Sequence, residues 1–153
     1  YVTEAAPEIS NRTASLLLSF GGMGLFMAGR FAGSYLMRKV KATFLLGING
    51  IGAILMMLIV LTQLKWISIT ALFLCFLFES IMFPTIFALS LKGLGYHTKK
   101  ASSILIMSIV GGAIAPIMMG MLGEESMAIG FIIPLLCFIA IFIYAIRFSK
   151  LYR

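Results

Sequence analysis

At 153 residues, 61% of them apolar and only 11% charged, the chain has too few charges to cover a soluble domain, where about a quarter of residues are charged. A mean hydropathy of +1.10 places the surplus apolar surface in lipid, so the sequence reads as an integral membrane protein. The net charge of +7 comes in short clusters between apolar runs, the pattern of membrane topology; with no basic face or motif beside it, a nucleic-acid role is excluded.

In chain order, residues 1–12 form a polar lead-in carrying Glu4, Glu8 and Arg12. Five apolar runs follow, at 13–36, 43–62, 66–91, 101–122 and 128–146, each about long enough to cross a bilayer. Residues 148–153 make a basic tail. The fold class is all-α. An open sheet would leave its edge unpaired in lipid, and the runs are too long and too uniformly apolar for barrel strands. Residues 13–147 therefore read as one helix bundle, and the short connections predict that successive spans pack as antiparallel neighbours.

Charge sets the orientation. Arg38, Lys39 and Lys41 lie between the first two spans, and Lys92, His97, Lys99 and Lys100 between the third and fourth. Arg147, Lys150 and Arg153 follow the fifth. This side has no acid and reads as cytoplasmic; Lys65, Glu124 and Glu125 fall on the other side with the lead-in. An external, Met-less start before an odd number of spans leads to the expectation that at least one span precedes, with Tyr1-Val2-Thr3 as its last residues. Asn11-Arg12-Thr13 has the glycosylation pattern but abuts the membrane, and is read as chance.

The first span ends in GRFAGSYLMRKVK. Gly29 and Gly33 share a face that lets a neighbouring helix approach closely. Arg30 has two readings: a cation snorkelling to the headgroups, or a gate element paired with a carboxylate or helix terminus. The third span contains FESIMFPTIFAL. Pro84 frees a carbonyl near Ser80, and a mid-membrane carboxyl such as Glu79 is costly against lipid. Spacings of three and four put Glu79, Met82, Phe83 and Ile86 on one face, read as a cavity face for a polar ligand, with a structural pairing of Glu79 as the alternative. In the fourth span, Gly112, Pro116 and Gly120 make a smooth stripe with a kink at Pro116, serving packing, a hinge or both. Asn49, Ser102, Ser103 and Ser108 read as groups packing between helices, the methionines as lipid-facing or gap-filling, and Cys75 and Cys137 as small hydrophobes. No metal-ligand spacing, HExxH, phosphate-cradling loop or mid-span lysine is found, so no catalytic residue or metal site is assigned and no enzyme is read.

GRFAG, SIMFPTIFALSLKGLG and SSILIMSIVGGAIAPIMMG together, in this order, resemble the C-terminal half of the fucose–proton symporter family of the major facilitator superfamily. That family includes L-fucose permeases and bacterial glucose/galactose transporters. The resemblance covers nearly the whole chain and is most specific at residues 80–95. It implies that the five spans are helices eight to twelve of a twelve-helix fold, with 1–7 the external end of helix seven. It further implies that spans one, three and four face a central cavity while spans two and five are peripheral. Substrate-cavity candidates are then Glu79, Ser80, Met82, Phe83, Thr85, Ser103 and Met107. Gate or packing positions are Gly29, Arg30, Gly33, Pro84, Gly112, Pro116 and Gly120. Glu79 departs from the family pattern, whose coupling acids lie in the N-terminal half.

The implied function is symport of a monosaccharide of the fucose, glucose or galactose type across the bacterial inner membrane by alternating access. The coupling ion is a proton or sodium, and no cofactor is involved. The implied partners are the sugar, the bilayer and the N-terminal half. A superfamily transporter of another solute, a non-transporting membrane assembly protein and an intramembrane enzyme are the alternatives; uptake assays separate the transporters from the rest.

Overall fold

The structure is a computed structural model that describes residues 1–124 and 126–151; Glu125 and the tail residues Tyr152 and Arg153 lie outside the described residues, as do the side chains of Ser149, Lys150 and Leu151. Every regular element among the described residues is helical. Five helices are long and apolar enough to cross a membrane: span one Asn11–Leu36, span two Ala42–Leu61, span three Lys65–Leu91, span four Gly95–Leu122 and span five Met127–Phe148. The last helix continues to Leu151, beyond the exit expected near residue 146.

Lateral order departs from chain order. Span one packs on span three, span three on span two, and span two on span five. Spans two and three are the antiparallel neighbours expected. Span one instead lies parallel to span three, with Gly22 against Phe76, Gly29 against Leu77 and Ser80, and Gly33 against Ile81 in ascending register. The expectation of neighbour-by-neighbour packing is corrected here, for a physical reason. A short loop fixes only the direction of the next helix, whereas small residues decide which backbones can approach.

The core lies around spans two and three. Leu46, Ala53, Met57 and Val60 meet Ile69, Leu72, Cys75 and Met82, and Phe138 and Ala145 join from span five. Gly50 admits Phe142 of span five, and Gly52 admits the ring of Phe78. Cys75 is a small buried group whose Sγ lies 3.6 Å from the Ala53 carbonyl oxygen, while Cys137 is exposed. Asn49 is buried and satisfied within its own helix, its Nδ2 donating to the Leu45 carbonyl at 2.7 Å.

Two spans are irregular. Span one is α-helical over Asn11–Leu16, widens to a π-helix over Leu17–Gly22 and returns to α over Met23–Leu36. The wide turn ends where Gly21 and Gly22 seat against Phe73 and Phe76, an edge-on aromatic pair 6.4 Å apart. Span four has α-helix over Thr98–Ser108, a 3-10 segment over Ile109–Ala113 and α-helix over Ile114–Leu122. The irregularity thus precedes Pro116 by a turn. The proline ring clashes with the carbonyl four residues back, that of Gly112, and offers it no N–H.

The lead-in closes the opposite end of the bundle from Lys41 and Lys92. Val2, Ala6 and Ile9 are buried, and the Tyr1 ring stands edge-on to Phe131 at 5.0 Å. The Tyr1 hydroxyl donates to the Val60 carbonyl at 2.5 Å. Glu4 accepts from the Met127 amide at 3.1 Å, and Gln63 donates to Ser126 Oγ at 2.7 Å.

Candidate functional site

The site begins with a close approach between backbones. A Cβ at Gly29 would lie 3.0 Å from the Leu77 carbonyl oxygen and 3.1 Å from Ser80 Cβ; one at Gly33 would lie 3.1 Å from Ile81 Cγ2. With spans one and three this near, side chains flanking the seam can reach across it. The Arg30 guanidinium carbon stands 4.9 Å from the Phe26 ring centre, one turn back on its own helix, and 5.1 Å from that of Phe83 on span three. Arg30 therefore meets two aromatic faces rather than a carboxylate or a helix terminus, a cation–π arrangement.

Glu79 and Phe83 are both exposed, Phe83 at 43%. At 100° per residue they lie about 40° apart on span three. Glu79 makes no hydrogen bond or ion pair with another described residue. Arg30, Phe26, Phe83 and Glu79 thus form a cationic, aromatic and acidic patch on the open side of the one–three seam.

The remaining span-three candidates point elsewhere. Ser80 is fully buried and its hydroxyl donates to the Phe26 carbonyl on span one. Thr85 is fully buried and donates to the Ile81 carbonyl at 2.7 Å; Met82 is 2% exposed in the core. The single cavity face expected from their spacing is corrected: Met82 lies about 60° from Glu79 on the side away from Phe83, across the edge of the packed face. Pro84 sits within span three, which stays helical to Leu91.

Span four stands apart. It meets span three through residues 98–108 and span five through residues 114–122, yet none of its residues is buried. Ser103 and Met107 are exposed, and neither hydrogen bonds nor ring contacts join them to Arg30 or Glu79. Ser102, Ser103 and Ser108 bond back to carbonyls of their own helix, those of Lys99, Lys99 and Leu105, and none of them is buried, so the expectation that they pack between helices is corrected among the described residues. A Cβ at Gly112 or Gly120 would meet no atom within 4 Å, and Pro116 is exposed. The stripe packs on nothing among the described residues.

Sequence reasoning missed Phe26, whose only signal was its place four residues before Arg30, and the π-helical turn, which had none. No cluster of three or more His, Cys, Asp or Glu side chains suited to a metal occurs among the described residues.

No protein-family model matches the chain. Over 125 residues, 81% of its length, it is 40% identical to a glucose/galactose transporter of Brucella abortus, covering 30% of that protein. Over 145 residues, 92% of its length, it is 37% identical to the L-fucose-proton symporter of Escherichia coli, covering 33% of it. The crystal structure of FucP, a major facilitator superfamily transporter in the outward conformation, superposes on 97% of the chain with a TM-score of 0.85 at 34% identity, over 37% of its own length. The chain thus spans about a third of the length of the relatives it matches. Five apolar helices and these similarities make it a multi-pass membrane protein with the fold of part of a major facilitator superfamily transporter, similar in sequence to the fucose–proton symporter and to glucose/galactose transporters.

Proposed function

We propose that the chain is the C-terminal helix bundle, helices eight to twelve, of a transporter that moves a monosaccharide together with a proton or sodium ion across a bacterial inner membrane. The observation that carries this reading is the patch of Arg30, Phe26, Phe83 and Glu79, polar and aromatic in the midst of apolar spans and open on its outer side. Aromatic rings stack on the C–H face of a sugar, and the two charged groups bond its hydroxyls. The names of the relatives, one for glucose and galactose and one for fucose with a proton, support the substrate class and the coupling. The uncovered face of span four, with Ser103, Met107 and the glycine stripe, is the second wall of the path, completed by the other half of the transporter. The basic loops and the C-terminus lie in the cytoplasm.

Uptake of labelled L-fucose, D-glucose and D-galactose by the full-length protein, with and without a proton or sodium gradient, tests this. The reading expects accumulation of at least one sugar. Glu79→Gln then assigns the carboxyl: loss of accumulation with retained exchange marks coupling, and weakened binding with intact coupling marks sugar contact. Unchanged binding and accumulation remove Glu79 from the mechanism. Uptake of none of the three sugars would transfer the chain to another solute.

A further inference from the structure

Away from that patch, a groove of about 950 Å³ opens where spans two, three and five end on the basic side. Lys41 stands immediately before span two and Lys92 immediately after span three, so both ammonium groups sit where hydrocarbon gives way to headgroups. Below Lys41, Phe44, Gly47, Ile48 and Ile51 follow at helical spacing and line one wall. Phe44, Ile48 and Ile51 are 62%, 50% and 45% exposed, and they extend the apolar wall about 10 Å into the membrane at 1.5 Å per residue. Phe142 and Ile146 of span five make the opposite wall. Gly47 keeps the cleft open, since a Cβ there would meet no atom within 4 Å.

The charge is one-sided. Among the described residues no Asp or Glu lines the groove, and neither loop that reaches it contains one. Span two also starts without a side-chain cap, so its first amides add positive potential beside Lys41. Two cations at headgroup depth above an exposed apolar channel match a molecule with an anionic head and a hydrocarbon tail.

We propose that this groove binds an anionic phospholipid, with its phosphate between Lys41 and Lys92 and an acyl chain along Phe44, Gly47, Ile48 and Ile51. The inference needs only that the spans cross a bilayer and is independent of the sugar reading. A free phosphate would leave the apolar channel unfilled. A wholly apolar occupant would leave two cations without a counter-charge at the membrane edge.

The test uses the purified, delipidated full-length protein in neutral detergent, with thermal stability read against added lipid. Phosphatidylglycerol should raise the Tm saturably, at a midpoint concentration at least tenfold lower than phosphatidylcholine with the same acyl chains, and inorganic phosphate should have no effect. Lys41→Gln with Lys92→Gln should raise the phosphatidylglycerol midpoint by about 30-fold, the size expected of two lysines near a membrane surface. Gly47→Leu puts a side chain into the channel from a position whose Cβ would meet no atom within 4 Å, so it should abolish the lipid effect while leaving the lipid-free Tm unchanged or higher. If the double lysine variant does not fold, Gly47→Leu decides alone. Equal curves for the two lipids, an equal effect of inorganic phosphate, or an undiminished lipid effect in Gly47→Leu would overturn the proposal. So would cross-linking that finds a second copy or another segment of the protein seated on Ile48.

Discussion

Replacing Gly29 by alanine probes the contact on which the Arg30 patch stands, and Gly24 in the same span is its control. A Cβ at Gly24 meets nothing within 4 Å. A Cβ at Gly29 lands 3.0 Å from the Leu77 carbonyl oxygen and 3.1 Å from Ser80 Cβ, where ordinary contact begins at 3.4 Å. Neither is the far end of a flexible chain, so spans one and three must part by a few tenths of an ångström. Overpacking of this kind costs about 1–3 kcal/mol. The gain in helix propensity on replacing glycine, about 1 kcal/mol, is common to both variants and cancels between them. The full-length Gly24→Ala protein should therefore be more stable than Gly29→Ala by about 1–3 kcal/mol in equilibrium unfolding from detergent micelles. The same separation stretches the bond from Ser80 to the Phe26 carbonyl and draws Phe83 from Arg30, so Gly29→Ala should also lose uptake while Gly24→Ala keeps it. Equal stability of the two variants would refute the close approach of spans one and three.

Gly52→Ala should destabilise, because its Cβ falls 2.8 Å from the Phe78 ring; Phe78→Leu in the same molecule should restore most of the loss, as read by thermal unfolding. Cysteines placed singly at positions 39 and 124, in a version lacking Cys75 and Cys137, should react with an impermeant thiol reagent from outside only at 124, and labelling at 39 alone reverses the topology. Gly112→Leu meets open space among the described residues, so if the other half of the transporter covers span four it should reduce uptake by the full-length protein more than Leu122→Ala does. Normal uptake by Gly112→Leu would instead assign that face to lipid.

The five helices were legible because lipid leaves so few alternatives: a run of 20 or so apolar residues can satisfy its backbone only by coiling. Which helices touch was not. Direction follows from loop length, but the choice of span three over span two as the partner of span one depends on Gly22, Gly29 and Gly33 meeting Phe76, Leu77 and Ile81, residues more than 40 positions away. The π-helical turn has the same origin. Leu17–Gly22 carries no local signal for a wider turn, and Phe73 and Phe76 lie on another helix. Helical angle placed Glu79 beside Phe83 but could not locate the edge of the packed face, and that edge sends Met82 inward. Ser80 was chosen for its hydroxyl as a ligand group; its use is taken by a carbonyl on span one.

The sequence presents Gly29 and Arg30 as separate features, a packing residue and a candidate gate, and the geometry joins them. Adjacent residues on a helix point about 100° apart, so when Gly29 faces span three, Arg30 is turned to the margin of the contact. Only a helix pair as close as Gly29 allows brings a ring from span three within 5.1 Å of a guanidinium at that margin. Phe83, in turn, shares its face with Glu79 one turn earlier, so the distance between two backbones fixes where an aromatic, a cation and a carboxyl stand relative to one another. A motion that slid or parted these two parallel helices would alter the cation–π contact and the surroundings of Glu79 together. The seam between spans one and three is thus the element through which a conformational change of the bundle would act on the patch.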